Sequence, residues 1–158
     1  SIIPEGLDGK IESLTGQIPQ LLEGITRDPI CINHGDLRLD NIFFEDSHVA
    51  LVDFQAICRS APEHDLAYFL TQSLSQSLRN KRDWVADYHS ALTQHGIDYP
   101  LETCRARFTA CAMYFLCYAV VIASALDLAN ERGQRLAETI LTNCFSALVD
   151  LDALSLID

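Results

Sequence analysis

The sequence predicts an α+β fold, mainly α, in which a small β-hairpin is carried by a body of helices. Three observations point there. Leu66, Leu70, Leu74 and Leu78 recur every four residues, which is a helical stripe. Two compact apolar runs, Ile42-Phe43-Phe44 and Val49-Ala50-Leu51-Val52, flank the turn composition Glu45-Asp46-Ser47-His48. Residues 110–126 read ACAMYFLCYAVVIASAL and carry no charge, as expected of a helix buried at the centre of a core.

In chain order, residues 4–14 read as a short helix, and Pro19 sets the start of a second that ends near Gly24 or Arg27. Pro29 introduces the apolar run 30–32, a strand. Residues 33–41 form a polar loop ahead of the hairpin. Ser60, Ala61, Pro62 and Glu63 match a capping box, a hydroxyl followed three residues later by a carboxylate, and open the helix of the leucine stripe. A further helix over about 81–95 stops at Gly96. The long apolar helix runs over about 101–131 and Gly133 breaks it. A last amphipathic helix carries Leu136, Ile140, Cys144 and Leu148. The uncharged stretch falls short of the ~20 residues that span a bilayer, and Arg107 and Asp127 flank it.

The 158 residues fit one domain, and 49% hydrophobic residues suffice for a core. A formal net charge of -11 argues against nucleic acid and against an anionic membrane surface as partners, since both need Lys and Arg to meet phosphate. The six cysteines (Cys31, Cys58, Cys104, Cys111, Cys117 and Cys144) contain no C-x-x-C pair and no zinc-ligand spacing. They read as small, reduced core residues of a cytoplasmic protein. Asp127, Glu131, Asp150 and Asp152 read as a solvated acidic face.

The chemistry lies in His34-Gly35-Asp36-Leu37-Arg38-Leu39-Asp40-Asn41 and in Leu51-Val52-Asp53-Phe54-Gln55. If Glu45 faces Val49, the hairpin register sets Asn41 opposite Asp53, so two hard oxygen ligands emerge at its open end. Mg²⁺ takes few protein oxygens and completes its octahedron with phosphates and water. Asp36, five residues before Asn41, enters the same end as a carboxylate free to receive a proton. Phosphoryl transfer asks for this set: metal-binding groups that hold the phosphates, and a carboxylate that orients the attacking hydroxyl. The spacing is that of the kinase catalytic loop, H-x-D-x-x-x-x-N, with a metal-binding Asp after the next strand pair. Arg38 has two readings of equal weight. It binds the transferred phosphate, or it is a solvated loop residue paired with Asp40.

HGDLRLDN followed by LVDFQ resembles the aminoglycoside phosphotransferase and choline-kinase-like superfamily, with its ecdysteroid-kinase-like relatives. The resemblance implies the C-terminal lobe of a protein-kinase-like fold, with the metal site on the hairpin. It makes Asp36 the catalytic base, and Asn41 and Asp53 the magnesium ligands through which ATP or GTP is held. His34 and Gly35 shape the loop, and Asp65, in His64-Asp65-Leu66-Ala67, buttresses it. The implied activity is Mg²⁺-dependent transfer of a nucleotide γ-phosphate to a small-molecule alcohol. Aminoglycoside, choline, steroid-like alcohol and sugar all remain open as acceptor. The alternatives are a catalytically inactive binding or scaffold lobe and, more remotely, a metal-dependent hydrolase.

The seven glycines include no G-x-G-x-x-G, and neither Lys10 nor Lys81 lies on a strand resembling V-A-I-K. Those parts belong to the upper lobe that clamps the nucleotide. Residues 1–158 therefore read as the catalytic and acceptor-binding lobe without its N-terminal partner. By itself this lobe is expected to be inactive, with its upper surface exposed or covered by a second copy in a homodimer.

Overall fold

In the computed structural model, which describes residues 8–151 and 153, the elements run α1 (Asp8–Thr26), β1 (Cys31–Asn33), β2 (Ile42–Phe44), β3 (Val49–Leu51), β4 (Cys58–Ser60), α2 (His64–Gln72), α3 (Gln76–Arg79), α4 (Trp84–Gln94), α5 (Leu101–Ala125) and α6 (Glu131–Asp150). The fold is α+β and mainly α. Its strands form two antiparallel pairs, β1 with β4 and β2 with β3.

The helix α5 is the axis of the core. Its Cys104, Phe108, Cys111, Met113, Phe115 and Leu116 are buried, and α1, α2, α4 and α6 pack around it. By length and composition it could cross a membrane. In this fold its central face is the core, while Val120 and Val121 near its end stay exposed. Cys104, Cys111 and Cys144 lie in that core, whereas Cys31, expected there, is exposed at the sheet edge. All six cysteines are unpaired.

Several boundaries differ from the expectations. Residues 8–26 form one helix that passes through Pro19. The proline removes one helical hydrogen bond, but Leu14 and Ile25, on either side of it, are both buried, and packing on α5 keeps the helix continuous. Residues 4–7 of the expected first helix lie outside the described residues. Strand β4 was not expected, since Cys58-Arg59-Ser60 carries no periodicity to show it. It pairs with β1, and Asn33 fastens it through bonds from Nδ2 to the Ser60 and Ala61 carbonyls at 3.3 and 3.2 Å.

The capping box does not form. Ser60 Oγ donates instead to the Ile25 carbonyl at 3.1 Å. Glu63 is fully buried, 3.2 Å from Arg107 Nε, and accepts the Tyr99 hydroxyl. Arg107 also donates to the Arg27 and Asp28 carbonyls. One buried ion pair thus ties α5, the start of α2 and the chain after α1 together. Burial and the Glu63 hydrogen bond push the Tyr99 phenol well up, and burial beside Glu63 pushes the Cys104 thiol up to about 12.

The leucine stripe spans two helices, because α2 ends at Gln72 and Leu78 sits on α3. Thr71 Oγ1 donates back to the Ala67 carbonyl at 2.8 Å, competition that favours a helix end. The long helix stops at Ala125, before an extended Leu126, and α6 begins afresh under the Asn130 cap, whose side chain accepts Gly133 N–H at 2.8 Å. Gly133 is therefore inside α6. A Cβ there would stand 2.0 Å from the Asp127 carbonyl oxygen, so glycine permits the close approach of α6 to the connection that precedes it. Asp150, expected on a solvated face, is buried against Arg79 at 2.7 Å. Asp152 lies outside the described residues.

Candidate active site

The hairpin sets the geometry. The pairs are Ile42 with Leu51, Phe43 with Ala50 and Phe44 with Val49. Glu45 N–H donates to the His48 carbonyl at 2.9 Å, leaving Asp46-Ser47 as a two-residue turn. The expected pairing of Glu45 with Val49 is off by one residue. Asn41 consequently faces Val52, whose N–H donates to the Asn41 carbonyl at 3.1 Å. Asp53 is the next residue, and it leaves the ladder in a left-handed conformation, φ 64° and ψ 61°. Strand pairing therefore does not place the Asp53 carboxylate. A left-handed turn does, at a residue type that tolerates one. Its carboxylate is exposed and meets Gln55 Nε2 at 3.4 Å.

The loop from His34 to Asn41 is held from two sides. Asp65, in the first turn of α2, accepts the N–H of His34 at 2.6 Å and of Gly35 at 2.9 Å. Burial would raise the Asp65 carboxyl, but His64 and these two N–H groups outweigh it and hold the carboxyl below its usual range. On the other side, His34 Nε2 lies 2.8 Å from the Val52 carbonyl, which only accepts, so Nε2 carries the proton. Its Nδ1 then accepts the Asp36 N–H at 3.3 Å. One buried imidazole, packed on Phe54 with centroids 4.5 Å apart, joins the Asp36 loop to the strand end before Asp53. Gly35 has φ +84°, and a Cβ there would stand 2.0 Å from the Ala56 carbonyl oxygen. The two loops touch backbone to backbone at that point.

Asp36 and Asn41 meet directly. Asn41, 5% exposed, donates from Nδ2 to the Asp36 carbonyl at 2.9 Å and to its carboxylate at 3.2 Å. Arg38 Nε lies 3.6 Å from the same carboxylate oxygen, so Arg38 faces Asp36 rather than Asp40. Beside them opens a cavity of about 370 Å³, lined by Arg38, Asp40, Tyr68, Tyr118, Ile122 and Ile140 among others. Its wall is largely apolar, with the loop at its rim.

Sequence reasoning missed Tyr68 and Ser73. Ser73 Oγ accepts the Leu39 N–H at 3.1 Å, and Tyr68 lies one turn beyond Asp65 on the same helix. The i, i+3 spacing from Asp65 was the available signal. His64, the first residue of α2, is buried against Phe115 with Nδ1 3.5 Å from Asp65. Among the described residues no group of three or more His, Cys, Asp or Glu gathers to hold a metal. The oxygen donors at hand are two. Asn41 Oδ1 is left over once Nδ2 is engaged by Asp36, and the Asp53 carboxylate is open. Asn41 is joined to Asp36, whereas the exposed Asp53 carboxylate meets Gln55; both offer hard oxygens of the kind that Mg²⁺ takes.

The sequence matches the model of the ecdysteroid kinase-like family over residues 5–98, a stretch that takes in every candidate residue from His34 to Asp65. No curated protein and no solved structure matches it.

Proposed function

The chain belongs to the ecdysteroid kinase-like family, and from that premise we propose that it is the C-terminal lobe of a two-lobe phosphotransferase. In this reading the whole protein moves the γ-phosphate of ATP or GTP to a hydroxyl of a small molecule. The observation that carries the reading is the bond from Asn41 to the Asp36 carboxylate, beside an apolar cavity. A proton acceptor and an oxygen donor for a metal share one loop, next to a space that an alcohol can enter.

The acceptor lies in the cavity with its hydroxyl toward Asp36. The carboxylate takes the hydroxyl proton while the acceptor oxygen forms its bond to the γ-phosphorus. The bond from that phosphorus to the bridging oxygen breaks, and the nucleoside diphosphate leaves. Asn41 keeps Asp36 oriented through Nδ2. Arg38, 47% exposed, balances the charge of Asp36 and stands within reach of an incoming phosphate. Asn41 and Asp53 are the residues that would hold magnesium, which would supply charge neutralisation on the triphosphate. His34 and Asp65 hold the loop, so little ordering is left for the moment of reaction.

A phosphorylation screen of the full-length protein tests the reading. Mg²⁺ with ATP or GTP is offered with an aminoglycoside, choline, a hydroxysteroid and a hexose. Transfer to one of these, lost on removing Mg²⁺, is the expected result. Nucleotide binding without transfer to any acceptor would favour the scaffold reading instead.

A further inference from the structure

The helix α2 meets the loop at both of its ends. Asp65 at its start receives the His34 and Gly35 N–H groups, and Ser73 just past its end receives the Leu39 N–H. Asp36 lies between those anchor points along the loop, and Tyr68 lies between them along the helix. Tyr68 is 6% exposed, and its ring is pinned edge-on to Phe115 with centroids 4.8 Å apart. It lines the cavity together with Arg38, whose guanidinium lies against Asp36.

We propose that Tyr68 is a further positioning residue of this site: its hydroxyl donates to the Asp36 carboxylate and keeps it turned toward the cavity, where an alcohol would surrender its proton. The proposal rests on the phosphotransfer reading above. Burial raises the Tyr68 phenol and the negative charge of the nearby Asp36 raises it further, as expected of a donor facing an anion. The donor also explains how a carboxylate whose side chain is only 15% exposed stays oriented, with Asn41 on one side and Tyr68 on another. A hydrogen bond to a charged group is worth enough to hold one rotamer, and the pinned ring costs little further ordering.

The test uses Tyr68→Phe, which keeps the ring and its contact with Phe115. Tyr88→Phe is the control, because Tyr88 donates its hydroxyl to the Pro62 carbonyl at 2.5 Å, away from Asp36. In the full-length protein, with the best alcohol of the screen, Tyr68→Phe should lower kcat about tenfold or more and leave KM for the nucleotide unchanged. Tyr88→Phe should leave kcat alone. The second readout needs no acceptor. With all five tyrosines labelled at Cζ with ¹³C, the resonance that disappears in Tyr68→Phe should shift in Asp36→Asn, and the other four should stay. A Tyr68 resonance indifferent to Asp36→Asn overturns the proposal whatever the turnover, and so does an unchanged kcat in Tyr68→Phe. A wild-type protein that phosphorylates no alcohol, with the resonance still responding, sinks the phosphotransfer reading and supports the Tyr68–Asp36 contact.

Discussion

The Asp65 carboxylate accepts the Gly35 N–H at 2.9 Å and the neighbouring His34 N–H at 2.6 Å, so the first turn of α2 is the anchor of the loop that carries Asp36. The anchor is local to the loop and not part of the helical core. Asp65→Ala should cost about 1.5–3 kcal/mol, the range for hydrogen bonds to a charged group. Urea denaturation measures that loss. Amide exchange should quicken at His34 and Gly35 and stay slow in α5.

The same carboxylate makes this anchor sensitive to acid. Its folded value is depressed, mainly because His64 and the loop N–H groups outweigh burial. A depressed carboxyl stabilises the fold above its unfolded value, about pH 3.9, and that contribution disappears as pH falls through the folded value. The stability gap between wild type and Asp65→Asn should therefore be flat from neutral pH to about pH 5 and shrink below about pH 4. A gap that grows in acid would contradict the assignment.

Gly35 and Gly96 offer a matched comparison. Both have positive φ, +84° and +82°, but a Cβ at Gly35 meets the Ala56 carbonyl at 2.0 Å, and one at Gly96 meets nothing within 4 Å. Gly96→Ala should cost about 1 kcal/mol from backbone conformation alone. Gly35→Ala should cost clearly more, because the Asp36 and Asp53 loops must part. Thermal denaturation of the two variants makes the comparison, and equal losses would mean that the loops yield freely.

The Glu63–Arg107 pair is a stability element set apart from the chemistry. Glu63 is 0% and Arg107 8% exposed. Arg107→Ala leaves a buried carboxylate unpaired and should cost about 3–5 kcal/mol. Replacing both partners with apolar residues of similar volume should recover most of that loss, as read from urea midpoints.

The sequence marked the candidate residues more fully than it marked their geometry. His34 to Asn41, Asp53 and Asp65 could be picked out because residue types at fixed spacing carry that information. The hairpin register was not legible, since Glu45-Asp46-Ser47-His48 fits a two-residue turn as well as a three-residue one, and a single step reverses every strand residue. Glu63 read as a capping residue because its spacing from Ser60 is right. Its partner Arg107 lies 44 positions away, and no local pattern announces such a pair. Pro19 read as a helix start because local propensity takes no account of Leu14 and Ile25 packing on α5.

The most direct measurement is the turnover of Asp36→Asn in the full-length protein, with Mg²⁺-nucleotide and the alcohol it phosphorylates best. The substitution keeps the shape and the contact with Asn41 but removes the proton acceptor. Turnover should fall on the order of 10²- to 10⁴-fold while Mg²⁺-nucleotide binding persists. Near wild-type turnover would contradict the account, because Asp36 would then not be the base.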